Sequence, residues 1–448
     1  MVTLRTINRR QFIAAGTAVT SASAIDPLRA DEPDTESAAE SGGAGAAAAA
    51  PPRFVRPDQA AGTSAAVVVD PAAALAYTAL IKPIDRHGEV VGAADAGAQA
   101  DRVLSNLNEA LAVAGSGLDQ VVKLTVYAAD QAALDAARAS VAQAFSGPTR
   151  PAATWVVNRQ PNEAIRVTMD AVAIAPLRQA DRVTWLRSDQ LSVESHAGHV
   201  AVMPPGQAVY IAGQVAPGET LAAAAGDTVR ELYRTLEHIG LTAANVVQVK
   251  AFVQPIDRAD DAHRAIAMAH GELAAADEAS EGRTAESAKV PPIVITEWQA
   301  ALPRPTEIEL IAINPGVRSN GGAVRYAAPP WLSESPVFSR IALARADAHL
   351  GWVYFSGLTP AAGLTPTEQV SQVFGRLREL CRETGSNFQH LVKATYYVVD
   401  PEITKALGEV RPRYYDPQRP PAASLVQVRG AAQPDTNYTL DMIGVRVE

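Results

Sequence analysis

One sequence pattern recurs three times along the chain and constrains its fold more than any other feature. In two copies a Gly-Ser pair precedes a Val-Val-Lys or Leu-Val-Lys run of strand-forming residues, at 115–127 and 385–397. A looser copy lies at 240–253. The lysines that mark the copies are Lys123, Lys250 and Lys393. Because a chain of 448 residues is too long for one ordinary domain, this spacing predicts three tandem domains of similar size.

Each copy carries the periodicities of one α+β unit. An apolar stripe with three- and four-residue spacing precedes each glycine, as at Val103, Leu107 and Leu111, and predicts an amphipathic helix. The glycine that follows suits a helix C-cap, because it adopts the left-handed conformation without steric cost. A strand around each lysine, a second helix and two closing strands come next. We therefore predict three ββ-α-β-α-ββ domains, each a mixed sheet with two helices on one face. Their predicted limits are residues 53–178, 181–316 and 322–448.

The N-terminus has the features of a targeting segment. Arg9 and Arg10 precede a mildly apolar stretch that ends in Ala22-Ser23-Ala24, a small-x-small cleavage pattern. This arrangement resembles a Tat signal, so residues 1–24 are expected to be removed on export to the periplasm or another extracytoplasmic space. Residues 25–52 are expected to form a disordered linker.

Composition excludes several classes of function. The chain has 39 Lys and Arg against 48 Asp and Glu, and this acidic balance argues against a nucleic-acid partner. The single cysteine, Cys381, excludes an internal disulfide, and its place on an apolar helix stripe favours core packing over nucleophilic chemistry. No stretch of about 20 apolar residues predicts a membrane span in the mature protein. We expect no cofactor.

The repeated motifs resemble those of the RidA (YjgF) family. In the first copy the resemblance is carried by residues 114–123 and by Arg150-Pro151-Ala152. The third copy adds Phe355-Ser356-Gly357 and Arg419-Pro420-Pro421-Ala422, and the second, most diverged copy adds Ile211-Ala212-Gly213-Gln214. The resemblance implies a chorismate-mutase-like fold and homotrimers with small-molecule sites between subunits. Three copies in one chain then suggest an intramolecular pseudo-trimer that is monomeric. The alternative is three domains that each trimerise with other chains.

The resemblance also implies a site chemistry that this sequence has altered. RidA enzymes hydrolyse enamines and imines with an arginine that clamps the substrate carboxylate. The matching positions are Ala153, Ile293 and Ala423. The family glutamate that orients water is aligned with Thr168, Glu309 and Thr439, which makes Glu309 the candidate catalytic residue. It is equally compatible with the polar face of a half-exposed strand. The pocket's Ser-Gly pair leaves Ser356, Gly357 and Gly213 as candidate ligand-binding residues.

Two further sets of polar residues receive structural interpretations. Arg150 and Arg419 precede their prolines and are expected to be solvated turn residues. Glu194, His196 and His199 could bind a metal, but without a further ligand cluster we expect polar turn residues and no metal site.

Three functions therefore remain open. The first is a non-catalytic protein that binds small metabolites in interdomain clefts, with the family's deaminase activity lost. The second is a diverged hydrolase or deaminase with one surviving cleft around Glu309 and Ser356, and the third is an interaction scaffold. Whether polar groups converge on one interdomain cleft separates the first function from the second, and clefts that are all filled with side chains favour the third.

Overall fold

The computed structural model describes residues 49–192, 197–280, 290–299, 304–315, 322–345 and 350–448. The predicted signal peptide lies outside these residues, as do most of the predicted linker and the candidate metal ligands Glu194 and His196. Among the helices of the described residues, none combines the length and the apolar character that crossing a membrane requires.

The described elements repeat in the same order three times. The first copy comprises β1 (Arg53–Asp58), β2 (Thr63–Val69), β3 (Ala74–Thr78), α1 (Ala96–Ala112), β4 (Val121–Ala128), α2 (Gln131–Ala144), β5 (Ala152–Val157) and β6 (Val167–Ala175). The second comprises β7 (Thr184–Leu186), β8 (Val200–Met203), β9 (Gly206–Gln214), α3 (Leu221–His238), β10 (Val246–Val253), α4 (Ala259–Ser280), β11 (Ile293–Glu297) and β12 (Thr306–Pro315). The third comprises β13 (Val324–Ala327), β14 (Ile341–Ala344), β15 (Gly351–Phe355), α5 (Pro366–Thr384), β16 (Leu391–Val398), α6 (Pro401–Val410), β17 (Ala422–Gln427) and β18 (Tyr438–Arg446).

The α+β class is confirmed, with one more opening strand in each copy than predicted. Local sequence explains where the helices begin and end. Thr365 caps α5, since its side chain accepts from the Glu368 amide while the Glu368 carboxylate accepts from the Thr365 amide. The glycines that follow the first helices all have a left-handed φ of 75–76°, as predicted. These are Gly115, Gly240 and Gly385.

The opening hairpins are exchanged between copies. Strand β8, the second strand of the second copy's opening hairpin, pairs with β3 of the first copy. The corresponding strand of the third copy, β14, pairs with β9 of the second, and that of the first copy, β2, pairs with β15 of the third. The exchange is therefore cyclic, and each copy completes the sheet of the copy before it. A single residue pair, Ser64 with Ala152, joins two of these sheets into one of 12 strands.

The helices of each copy pack on the outer face of its sheet, and the opposite faces meet at the centre of the molecule. A tyrosine from each of β3, β9 and β15 is buried there, namely Tyr77, Tyr210 and Tyr354. The Tyr77 and Tyr354 hydroxyls are 2.9 Å apart. Equivalent residues of the three copies thus surround a common axis, which we call the central axis.

Candidate functional site

A buried group of charges lies on the central axis below the three tyrosines. It consists of three ion pairs, each between a lysine and the acid of the preceding copy. The Nζ–carboxylate distances are 2.7 Å for Lys123–Asp441, 3.3 Å for Lys250–Asp170 and 2.8 Å for Lys393–Glu309. Because every pair joins two copies and formal charges cancel, this central ion-pair cluster links the copies without net charge.

Each buried lysine needs the polar partners that it finds here. Lys123 also donates to Thr154 Oγ1 (2.8 Å) and to the Phe355 carbonyl (2.7 Å). Burial lowers the pKa of Lys123, although Asp441 opposes this effect. Burial acts to raise the pKa of Asp441, but the attraction of Lys123 and Lys393 outweighs it and holds that pKa below its ordinary value. The arrangement therefore favours the charged form of Asp441.

The strand registers correct the alignment of the three lysines. Lys123 and Lys393 pair with Val172 and Ile443 directly after a β-bulge, and Gln248 follows the bulge in the second copy. The Gln248 side chain donates through Nε2 to the Thr78 carbonyl at 2.7 Å, as the Lys123 side chain does to the Phe355 carbonyl. Gln248 is therefore the equivalent residue, and Lys250 lies two positions further along its strand.

The same registers correct the alignment of Glu309. Thr168 pairs with Tyr127 and Thr439 pairs with Tyr397, whereas the residue opposite the equivalent Phe252 is Glu307. The alignment of Glu309 with these threonines was therefore wrong by two residues. Glu309 is equivalent to Asp170 and Asp441.

Glu309 lies in the central ion-pair cluster. Its carboxylate pairs with Lys393 and accepts from Ser424 Oγ at 2.6 Å. Both partners belong to the third copy, so the position joins two copies as Asp170 and Asp441 do. Glu309 also lines a cavity of about 500 Å³, open space included, together with the three lysines of the cluster. We therefore assign Glu309 a charge-balancing position at this cavity, while its expected catalytic role stays a prediction.

The 3/1 junction, where Ser356 and Gly357 meet Ala153, is closely packed. The Ala153 amide donates to Ser356 Oγ (2.8 Å), and the Gly357 amide donates to the Ala153 carbonyl (2.9 Å). A Cβ atom on Gly357 would lie 2.9 Å from Thr439 Cγ2 and 3.1 Å from Thr154 Cα. The predicted ligand-binding residues Ser356 and Gly357 thus hold two copies together at this junction.

The 2/3 junction brings strand β9 against β17, which carries Ala423. Gly213 lies on β9, and a side chain at this position would collide with the Glu307 carboxylate. Glu307 is buried and belongs to the same copy as Gly213. This junction therefore combines Gly213 and Glu307 with Ala423, which lies where the resemblance implies an arginine.

The 1/2 junction contains an open cleft of about 710 Å³, including its mouth. The Leu80 amide donates to the Ile293 carbonyl (3.1 Å), which is the same contact that Gly357 makes with Ala153. Ile293 lies in the wall, with Ile81 and Ile295 beside it. The first turn of α4 contributes Asp260, and the next turn contributes His263. Sequence reasoning missed these last two residues, since nothing distinguishes them from the exposed face of a helix.

The remaining candidates have structural positions. Arg150 is buried rather than solvated, as it donates to the carbonyls of Phe145, Gly147 and Thr149 at the end of α2. The expectation for Arg150 was wrong because the end of a helix offers unpaired carbonyls to a nearby guanidinium. Arg419 is exposed. Cys381 is buried in the core, and burial raises the pKa of its thiol to about 12.

His199 has a structural position beside the cleft. Its Nδ1 accepts from the Ser188 amide (3.0 Å), so Nε2 carries the proton and donates to the Ser192 carbonyl (3.0 Å). Within the part of the chain that the structure describes, no three His, Cys, Asp or Glu residues are grouped to hold a metal ion. Both ring nitrogens of His199 are therefore used to order the turn that follows β7.

Comparisons with known proteins match the repeated unit, and a family model matches its first and third copies. The family model described as Endoribonuclease L-PSP matches residues 55–175 and 339–443, together about half of the chain. A RutC family protein from Synechocystis is 38% identical over 88 residues, covering 19% of this chain and 67% of the relative. The solved Rid family protein YyfB from Yersinia pestis is 26% identical and covers 28% of this chain and 98% of its own, with a TM-score of 0.26.

A putative endoribonuclease from Thermotoga maritima is 28% identical, covering 28% of this chain and 98% of its own, with a TM-score of 0.21. Each of these relatives is similar to one copy of the repeat. The chain belongs to the Endoribonuclease L-PSP family, which is the RidA (YjgF) family that its motifs resemble.

Proposed function

We propose that this protein is an exported RidA-like protein that binds a small molecule at the 1/2 junction and no longer hydrolyses enamines. The observation that carries the proposal is the loss of the family's arginine at all three junctions. Ala153, Ile293 and Ala423 occupy its position, and all three are buried. None of these side chains can make the paired hydrogen bonds that a guanidinium makes with a carboxylate.

The open cleft at the 1/2 junction supports binding rather than a scaffold role. Its walls come from two copies, and apolar side chains line it together with a few polar ones, as in small-molecule sites. The 3/1 junction is instead packed around Gly357. The 1/2 junction is therefore open where the 3/1 junction is closely packed.

Export and a monomeric state are further parts of the proposal. The Arg9-Arg10 pair and the Ala22-Ser23-Ala24 site support removal of residues 1–24. The cyclic exchange of hairpins supports a single-chain pseudo-trimer, because it leaves each copy paired within the chain. Linking the copies in this way raises their effective concentration.

A coupled assay tests the loss of activity. An enzyme that generates 2-aminoacrylate is mixed with the purified protein, and release of the keto acid is followed. A missing charge-assisted hydrogen bond of about 1.5–3 kcal/mol corresponds to a rate lowered by roughly one to two decades against an active RidA enzyme. Deamination at the rate of an active relative would overturn this part of the proposal.

A matched pair of variants sharpens the test. Ala423→Arg places a guanidinium at the 2/3 junction, where Glu307 and Gly213 remain, so this variant is expected to gain deamination. Ala153→Arg makes the same change at the 3/1 junction, where Thr439 stands at the glutamate position. It should gain little. Circular dichroism establishes that both variants fold, and equal gains would show that Glu307 has no part in the chemistry.

A further inference from the structure

The chemistry of the 1/2 junction cleft points to one class of ligand, and this inference rests on the proposed function. We propose that the cleft takes a neutral small molecule with an apolar body, in contrast to a carboxylate-bearing one. Three apolar side chains form the wall around the position where the arginine is missing, namely Ile81, Ile293 and Ile295. Contact with this wall favours apolar surface by about 25 cal/mol per Å² buried.

Three backbone amides and one side-chain amide in the cleft wall are already used by the protein. The backbone amides of Ala79, Leu80 and Ile81 donate to carbonyls of His199, Ile293 and Met169. The Asn106 side chain donates to the Lys82 and Ile84 carbonyls at 2.9 and 2.8 Å. An anion that entered the cleft would therefore lose its hydration shell without gaining hydrogen bonds from these donors, and this desolvation costs binding free energy.

The charged side chains that line the cleft balance one another. Lys82 comes from the segment after β3, and Asp260 comes from the first turn of α4. Asp261 follows Asp260 on the same turn and pairs with Arg258 and Arg264. Because Lys82 and Asp260 carry opposite formal charges and a neutral His263 adds none, the lining has no excess positive charge to replace the lost guanidinium.

The test uses neutral probes paired with their carboxylate counterparts. Acetophenone is compared with benzoylformate, and indole with indole-3-carboxylate, by ligand-observed NMR titration of the full mature chain. We expect each neutral compound to bind at least about tenfold more tightly than its partner, as desolvating an unpaired charge costs more than 1 kcal/mol.

Two variants locate the binding. Leu191→Trp places a larger side chain in the cleft wall and should remove the signal of the neutral probes. Leu177→Trp is the matched control, because Leu177 is 50% exposed and does not line the cleft. It should bind as the wild type does, and circular dichroism shows whether each variant folds.

The outcomes separate the ligand class from the proposed function. Equal or tighter binding of the carboxylates, abolished by Leu191→Trp, would overturn the neutral ligand and leave small-molecule binding in place. Binding at millimolar concentration that is insensitive to Leu191→Trp, or no binding of either pair, would overturn both.

Discussion

The central ion-pair cluster predicts a large loss of stability when one acid is neutralised. Asp441→Asn removes the carboxylate that lies 2.7 Å from Lys123 Nζ and leaves that ammonium buried. Removing one partner of a buried ion pair typically costs 3–5 kcal/mol. Lys123 keeps Thr154 and the Phe355 carbonyl as acceptors. We therefore expect the lower end, about 3 kcal/mol of the free energy of unfolding.

Urea denaturation at pH 7, followed by tryptophan fluorescence, measures this change. The control is Glu272→Gln, which removes the exposed partner of Arg230 and should change stability by no more than about 0.5 kcal/mol. The double variant Lys123→Met with Asp441→Leu replaces both charges by apolar groups and should recover much of the loss. If Asp441→Asn were no less stable than the control, the central ion-pair cluster would not hold the copies together.

Three further predictions follow from named contacts. Because the folded pKa of Asp441 is below its ordinary value of 3.8, the contribution of Asp441 to stability is present above about pH 4 and is lost as pH falls through the folded pKa. The wild type should therefore lose more stability than Asp441→Asn between pH 7 and pH 3, and urea midpoints that fall in parallel would contradict this. Gly357→Val should lower the free energy of unfolding by roughly 1–3 kcal/mol, because the new side chain crowds Thr439 and Thr154. The control Gly375→Ala has open space around it on α5 and should be neutral or stabilising, so equal melting temperatures of the two variants would argue against a packed 3/1 junction. N-terminal sequencing of exported protein should begin near Ile25, and an intact Met1 in that fraction would exclude removal of the signal.

The helices and closing strands could be predicted from the sequence because their signals are local. The stripe at Val103, Leu107 and Leu111 lies within α1, and Gly385 ends α5 in the left-handed conformation. The acids of the central cluster could also have been found. A lysine within a buried strand such as β16 needs a partner, and an acid recurs at the same place in the last strand of each copy. These acids are Asp170, Glu309 and Asp441.

Features that depend on pairing between distant strands could not be predicted in this way. Glu307 and Glu309 lie on one face of their strand, because side chains alternate with a period of two, and β10 beside them contains a β-bulge. Spacing along the sequence alone therefore could not show which of the two is aligned with Thr168 and Thr439. The exchange of β2 onto β15 joins residues at opposite ends of the chain, and local periodicity carries no information about it. The buried position of Arg150 likewise depends on where α2 ends.

One chain is expected to supply all three junctions through its own copies. Light scattering coupled to small-angle X-ray scattering measures the mass and the dimensions of the mature chain in solution. We expect the mass of a single chain and a radius of gyration of about 22 Å, the value for a compact chain of this length. A mass of three chains, or the scattering of an extended string of domains, would contradict this expectation.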